Sequence, residues 1–179
     1  MSSHRYEAVV RLLKARRPAC GSTTVVAIDG PSGAGKTSFA AGLADATGAA
    51  VLHLEDVYPG WDGLAATPPI VAGVLDAIAV DGVGTARRWD WDRGVPGAVL
   101  HVPPARLLVV EGVGSGAAVI RPHLSLLIWL DAPAAVRKER ALARDGETFA
   151  PHWDRWAAQE ARLFAAEGTR HHADLVVAT

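Results

Sequence analysis

The octapeptide Gly30-Pro31-Ser32-Gly33-Ala34-Gly35-Lys36-Thr37 matches the pattern G-x-x-x-x-G-K-[ST], and each fixed position has its own chemical use. Glycines let the backbone adopt conformations closed to other residues, so successive N–H groups can gather around phosphate oxygens. Lys36 adds a charge able to bridge the β- and γ-phosphates, and a helix beginning near it turns its positive end on the same anion. The Thr37 hydroxyl is a hard oxygen donor suited to Mg²⁺. The chain has three lysines against fifteen arginines, so a lysine at this position does not follow from a lysine-rich composition. Residues Gly30, Pro31, Ser32, Gly33, Ala34, Gly35, Lys36, Thr37 and Ser38 are therefore expected to bind a nucleoside triphosphate, ATP, with Mg²⁺.

Carboxylates and arginines elsewhere could complete a phosphoryl-transfer site. Asp29 precedes the loop, where it could act on metal or acceptor, and Glu111 could hold an Mg²⁺-bound water. Arg137, Arg140 and Arg144 recur at i, i+3 and i+7, so one helical face presents three guanidinium groups. Such groups can stabilise the charge that spreads over a phosphoryl group in flight. Trp61, Trp89 and Trp91 could stack on a ring or cap the core under a long loop. Asp90 and Arg87, with Asp62 and Asp92, offer polar groups to an acceptor. His152, His171 and His172 are not spaced as a metal set on one helix.

These residues need a scaffold, and hydropathy patterning supplies one. Residues 24–28, 50–54, 107–110, 124–130 and 175–177 read as short buried strands, and 36–47, 70–80, 133–145 and 151–167 as helices. A further helix leads at 4–15, and Gly48 suits a helix end. The alternation predicts a three-layer α/β/α fold around a five-stranded, mostly parallel sheet, with ligands at the carboxyl ends of the strands. The Gly/Pro/Trp-rich stretch 82–102 reads as an excursion, either a small hairpin or a loop over the site. At 179 residues, one domain over 1–179 is expected.

Composition excludes several classes. A net charge of −1 gives no global attraction to nucleic acid or anionic lipid. The absence of asparagine rules out the Asn-Lys-x-Asp signature of guanine recognition. The lone Cys20 excludes an intramolecular disulfide framework and suits a reducing cytoplasm. No apolar run of bilayer-spanning length and no signal peptide are read, so the protein is expected in the cytoplasm.

The segment Ile28-Asp29-Gly30-Pro31-Ser32-Gly33-Ala34-Gly35-Lys36-Thr37-Ser38 resembles the D-G-x-S-G-x-G-K-[ST] opening of the uridine kinase-like, nucleoside-kinase branch of P-loop kinases. Leu54-Glu55-Asp56-Val57-Tyr58 resembles that family's D-x-F-Y or D-D-x-Y segment, Val110-Glu111-Gly112 its E-G, residues 137–145 its Arg-rich lid, and Ala173-Asp174-Leu175-Val176-Val177 its last strand. The resemblance implies a magnesium-dependent kinase for a small-molecule hydroxyl, most simply a nucleoside, with a nucleoside monophosphate or a vitamin-like alcohol as alternatives. An ATP-binding regulatory protein without turnover is the rival from another class. The resemblance also implies a base that orients the acceptor hydroxyl, Glu55 if Tyr58 anchors the match and Asp56 if an aspartate is required. It sets Tyr58 beside Trp61 and the other expected acceptor residues, and implies a lid over 137–148, where Gly146-Glu147-Thr148 departs from the family's further arginines.

Overall fold

In the computed structural model, residues 4–179 are described, apart from the side chains of His4, Arg5, Asp145 and Glu147. Among the described residues seven strands form: β1 (Thr24–Asp29), β2 (Ala50–His53), β3 (Gly84–Asp90), β4 (Val95–Val102), β5 (Leu107–Glu111), β6 (Leu126–Asp131) and β7 (Leu175–Ala178). The helices are α1 (His4–Lys14), α2 (Lys36–Thr47), α3 (Thr67–Asp81), α4 (Ala134–Phe149), α5 (Trp153–Glu167) and α6 (Thr169–His172).

Five strands pair in the order β2-β5-β1-β6-β7, every pairing parallel. The central strand β1 is buried from Val25 to Asp29, as a strand covered on both faces must be. Its alternate residues feed two separate cores. Val25 packs with Leu52, Leu108 and Val110 against Val71, Leu75 and Ile78 of α3. Val26 and Ile28 pack with Val109, Ile128 and Leu130 against Phe39 and Leu43 of α2. The period-2 alternation of the strands thus builds the three layers. Helix α1 lies on the α2 side, where Tyr6 meets Phe39 at 5.3 Å.

Register decides what reaches the carboxyl edge. Ile28 and His53 each pair with Glu111, and Asp29 with Trp129. The ends of β1, β2 and β5 therefore bring Asp29, His53 and Glu111 to one place. The turn after β2 is a 3-10 helix, Leu54–Asp56, so the strand stops one residue earlier than its apolar run implies. Helix α3 starts at Thr67 because Pro68 occupies the first turn, where a missing N–H costs nothing. Strand β6 starts at Leu126, two residues late, since a 3-10 turn at Arg121–His123 precedes it. Helix α6 has no counterpart in the sequence reading.

Residues 64–81 also correct the expectation that no apolar run reaches spanning length. This stretch is long and apolar enough to cross a membrane by composition, and it is the core segment that contains α3. The 82–102 excursion folds as an antiparallel hairpin of β3 and β4, a sheet separate from the main one, with an irregular register between Arg87 and Trp89.

Candidate functional site

The loop between β1 and α2 is shaped by two different demands on glycine. A Cβ at Gly33 would lie 2.1 Å from the Arg137 carbonyl oxygen, so the loop approaches α4 more closely than any side chain allows. A Cβ at Gly35 would meet nothing, and there the requirement is the backbone angle itself, φ +83°. Helix α2 then begins with no side-chain cap and no acidic residue in its first turn, leaving amides for an anion to satisfy. The Lys36 Nζ donates to Gly30 O at 2.8 Å and Pro31 O at 3.0 Å. Burial pushes the lysine below its ordinary pKa, while the charges of Glu160, Glu111 and Asp29 work against that shift.

At the neighbouring strand end the Thr37 hydroxyl donates to Glu111 Oε1 at 3.3 Å, and His53 Nδ1 lies 2.6 Å from the same oxygen. The bond to Glu111 raises the His53 pKa. A hydroxyl and a carboxylate this close, beside a phosphate loop, form an oxygen donor set of the kind Mg²⁺ takes. Asp29 is different. It is fully buried and does not line the cavity; Oδ1 accepts the amides of Gly30 (2.7 Å) and Gly114 (3.0 Å), and Oδ2 that of Gly116 (2.9 Å). Burial pushes its carboxyl up to about 6 despite those three bonds. Its expected role on metal or acceptor gives way to a framing one, because its acceptor capacity is spent on backbone.

A cavity of about 720 Å³ runs from this loop toward the hairpin. Glu55 lines it, whereas Asp56 turns away and pairs with Arg88, Nε to Oδ1 at 3.3 Å. Trp91 and Asp92, in the hairpin turn, also line it, and the Trp91 indole donates to Glu55 O at 3.0 Å. Of the expected acceptor residues, Tyr58 and Trp61 line the cavity, while Arg87, Trp89 and Asp90 do not. Arg87 donates to Gly97 O, Trp89 pairs with Pro96 within the hairpin, and Asp90 accepts from Arg93 N to close the turn. Trp61 both lines the cavity and caps the core: it stacks on Phe149 at 5.4 Å and His152 at 4.3 Å and meets Trp91 at 4.8 Å.

The three lid arginines divide as well. Arg140 and Arg144 line the cavity. Arg137 instead donates to Ala132 O and Ser32 O, both at 3.1 Å, and holds the loop in place. Arg140 also donates to the Thr179 hydroxyl, which donates in turn to Ala34 O at 2.9 Å. Helix α4 is broken at Gly146 (φ 53°, ψ −134°), so the arginines lie before the break and Thr148 and Phe149, also lining the cavity, lie after it.

Sequence reasoning missed Trp156 and Glu160. Glu160 accepts the Ser32 amide at 2.9 Å and the Ser32 hydroxyl, and the Trp156 indole donates to both Ser32 Oγ and Glu160 Oε1. A signal existed: Trp153, Trp156 and Glu160 fall at i, i+3 and i+7, which puts a carboxylate on the apolar stripe of α5. His53 was missed because an imidazole at a strand end carries no motif.

No protein-family model and no curated protein matches the sequence. Among solved structures the chain is similar to a possible uridine kinase from Bacillus stearothermophilus, at 17% identity over 97% of each chain with a TM-score of 0.66. It is similar also to a candidate fructose transport system kinase from Silicibacter sp. TM1040, at 20% identity over 99% of each chain with a TM-score of 0.60. A third is the shikimate kinase from Acinetobacter baumannii in complex with shikimate, at 16% identity over 90% of this chain and 86% of that one, TM-score 0.53. At such identities the likeness is one of fold, and with the loop, sheet order and cavity above it establishes that the chain has the three-layer α/β/α fold of the P-loop kinases.

Proposed function

We propose that the protein is a kinase that transfers the γ-phosphoryl group of ATP to a hydroxyl of a small molecule, with a nucleoside as the first candidate. The observation that carries this reading is a single cavity holding Lys36 and Thr37 at one end and Glu55, Tyr58, Trp61 and Trp91 around the rest. A donor seat and a walled acceptor seat in one enclosure are what direct transfer requires. The similar structures are named as kinases, two of them for uridine and shikimate, which supports the reading.

In this reading Lys36 and the first amides of α2 orient the phosphates, and Arg140 and Arg144 meet the oxygens that gain charge. Glu55 accepts the proton of the acceptor hydroxyl as its oxygen bonds to the γ-phosphorus and the bond to the β-phosphate oxygen breaks, releasing ADP. Thr37 and Glu111 would hold Mg²⁺, which when bound neutralises phosphate charge. Asp56, paired with Arg88, is the weaker candidate for the base. A phosphorylated acceptor such as a nucleoside monophosphate is disfavoured, because Arg87 and Arg88 are engaged outside the cavity. A vitamin-like aromatic alcohol would use the same walls. The free, buried Cys20 fits work in the cytoplasm.

The test is ADP release from Mg-ATP across nucleosides, nucleoside monophosphates and small alcohols, with Lys36→Ala and Glu55→Gln beside the parent. Stimulation by one acceptor, lost in both variants, supports the kinase. ATP binding that no acceptor converts to release points to a regulatory protein without turnover.

A further inference from the structure

Glu160 is a buried carboxylate, 4% exposed, set against a loop built to receive anions. Its Oε1 takes the Ser32 amide and hydroxyl, so one backbone donor of the loop is committed to an internal anion. Among the charges that favour protonated Lys36, that of Glu160 is the strongest. A carboxylate whose charge acts on the lysine also repels whatever polyphosphate the lysine attracts. Packing requires no acid here, since Ser32 and Trp156 could be satisfied by a neutral amide oxygen.

The same helix reaches the other end of the cavity. The Trp156 ring meets Tyr58 at 4.9 Å and Trp61 at 6.2 Å, both edge-on, and Gln159 Nε2 donates to Trp61 O at 2.7 Å. Helix α5 therefore ties the apex of the phosphate loop and the aromatic acceptor wall to one rigid element.

We propose that Glu160 is a charged positioning residue of the donor site: it fixes the loop apex through Ser32 and, as a fixed counter-charge, keeps polyphosphate binding loose, while Trp156 and Gln159 connect that apex to the acceptor wall. The proposal rests on the phosphate-binding reading of the loop and not on turnover. Loose donor binding favours release of ADP after transfer, so the charge serves the cycle and not the affinity.

The experiment is calorimetric titration of ADP, ATP and inorganic tripolyphosphate into the parent, Glu160→Gln, Trp156→Phe and Lys36→Ala, without acceptor and at two ionic strengths. Glu160→Gln keeps an oxygen for Ser32 and removes the charge, so it binds ATP about tenfold more tightly, with a larger gain for tripolyphosphate and a smaller one for ADP. In turnover it lowers the KM for ATP and kcat together. Trp156→Phe withdraws a donor from the carboxylate and leaves the charge, so it binds no more tightly than the parent; this arm stands even if Glu160→Gln does not fold. Unchanged or weaker binding in Glu160→Gln, as a purely structural clasp or a mere support for the lysine charge predicts, overturns the proposal, as does tighter binding in Trp156→Phe. Parent binding that does not depend on Lys36 overturns the loop reading as well, so the two failures are separable.

Discussion

The two ends of the cavity, donor and acceptor ends on the proposed reading, are made in different ways. The donor end is backbone: a continuous run from Gly30 to Ser38 sets its shape, and side chains from elsewhere, Asp29, Arg137 and Glu160, hold that backbone still. The acceptor end is side chains, drawn from the turn after β2, the tip of the β3–β4 hairpin, α4 and α5. A site of backbone tolerates little change in the loop but is indifferent to the acceptor. A site of side chains from four segments can be rebuilt residue by residue.

Substitutions at each end should therefore separate cleanly. The largest effect is expected from Lys36→Ala, which removes the charge at the donor end and should lower kcat/KM for ATP by about a thousandfold; steady-state kinetics against ATP would show it, and a loss under tenfold would break the comparison. Next comes the frame of that end. Burial pushes the Asp29 carboxyl from an ordinary 3.8 up to about 6, so the folded state holds its proton more tightly and stability falls as pH rises through that window, then levels. Relative to the parent, Asp29→Asn should gain about 2 kcal/mol of unfolding free energy between pH 4 and pH 7, read from urea titrations at each pH. A parent-minus-variant difference that stays flat with pH would show that the buried carboxyl does not titrate there.

At the acceptor end, Glu55→Gln should cut kcat by about a hundredfold with ATP affinity unchanged, and Asp56→Asn should do far less. The reverse order would move the base to Asp56. A smaller effect is expected from Trp91→Ala: about a tenfold rise in the acceptor KM, with the KM for ATP untouched. The smallest is Arg88→Ala, which breaks a half-exposed ion pair and should cost under about 1 kcal/mol by thermal unfolding.

The same contrast governs what could be read from the chain in advance. Strand β1, the glycine loop and α2 up to Gly48 follow one another in sequence, and each is signalled by residues that touch their neighbours, so α2 was legible to the residue and β1 to within its last one, Asp29. Asp29 was legible as a position but not as a role, since two of its three amides come from Gly114 and Gly116, some 85 residues on. Trp91 and Trp89 are indistinguishable by type and period. They part because pairing ends at Asp90–Val95 and the register shifts after Arg87, which leaves Trp91 in the turn, free to face Glu55. Nor does the spacing of Arg137, Arg140 and Arg144 say which guanidinium the loop carbonyls will claim.

The β3–β4 hairpin pairs with itself alone and forms no rung of the main sheet. Exchange of its tip, residues 91–94, replaces two residues of the cavity wall, Trp91 and Asp92, which on the proposed reading face the acceptor, without moving a strand of the main sheet. Diversification by exchange of a four-residue cassette is the evolutionary freedom that a ribbon anchored to the core at its base, through Val102, and unpaired with the main sheet gives the molecule.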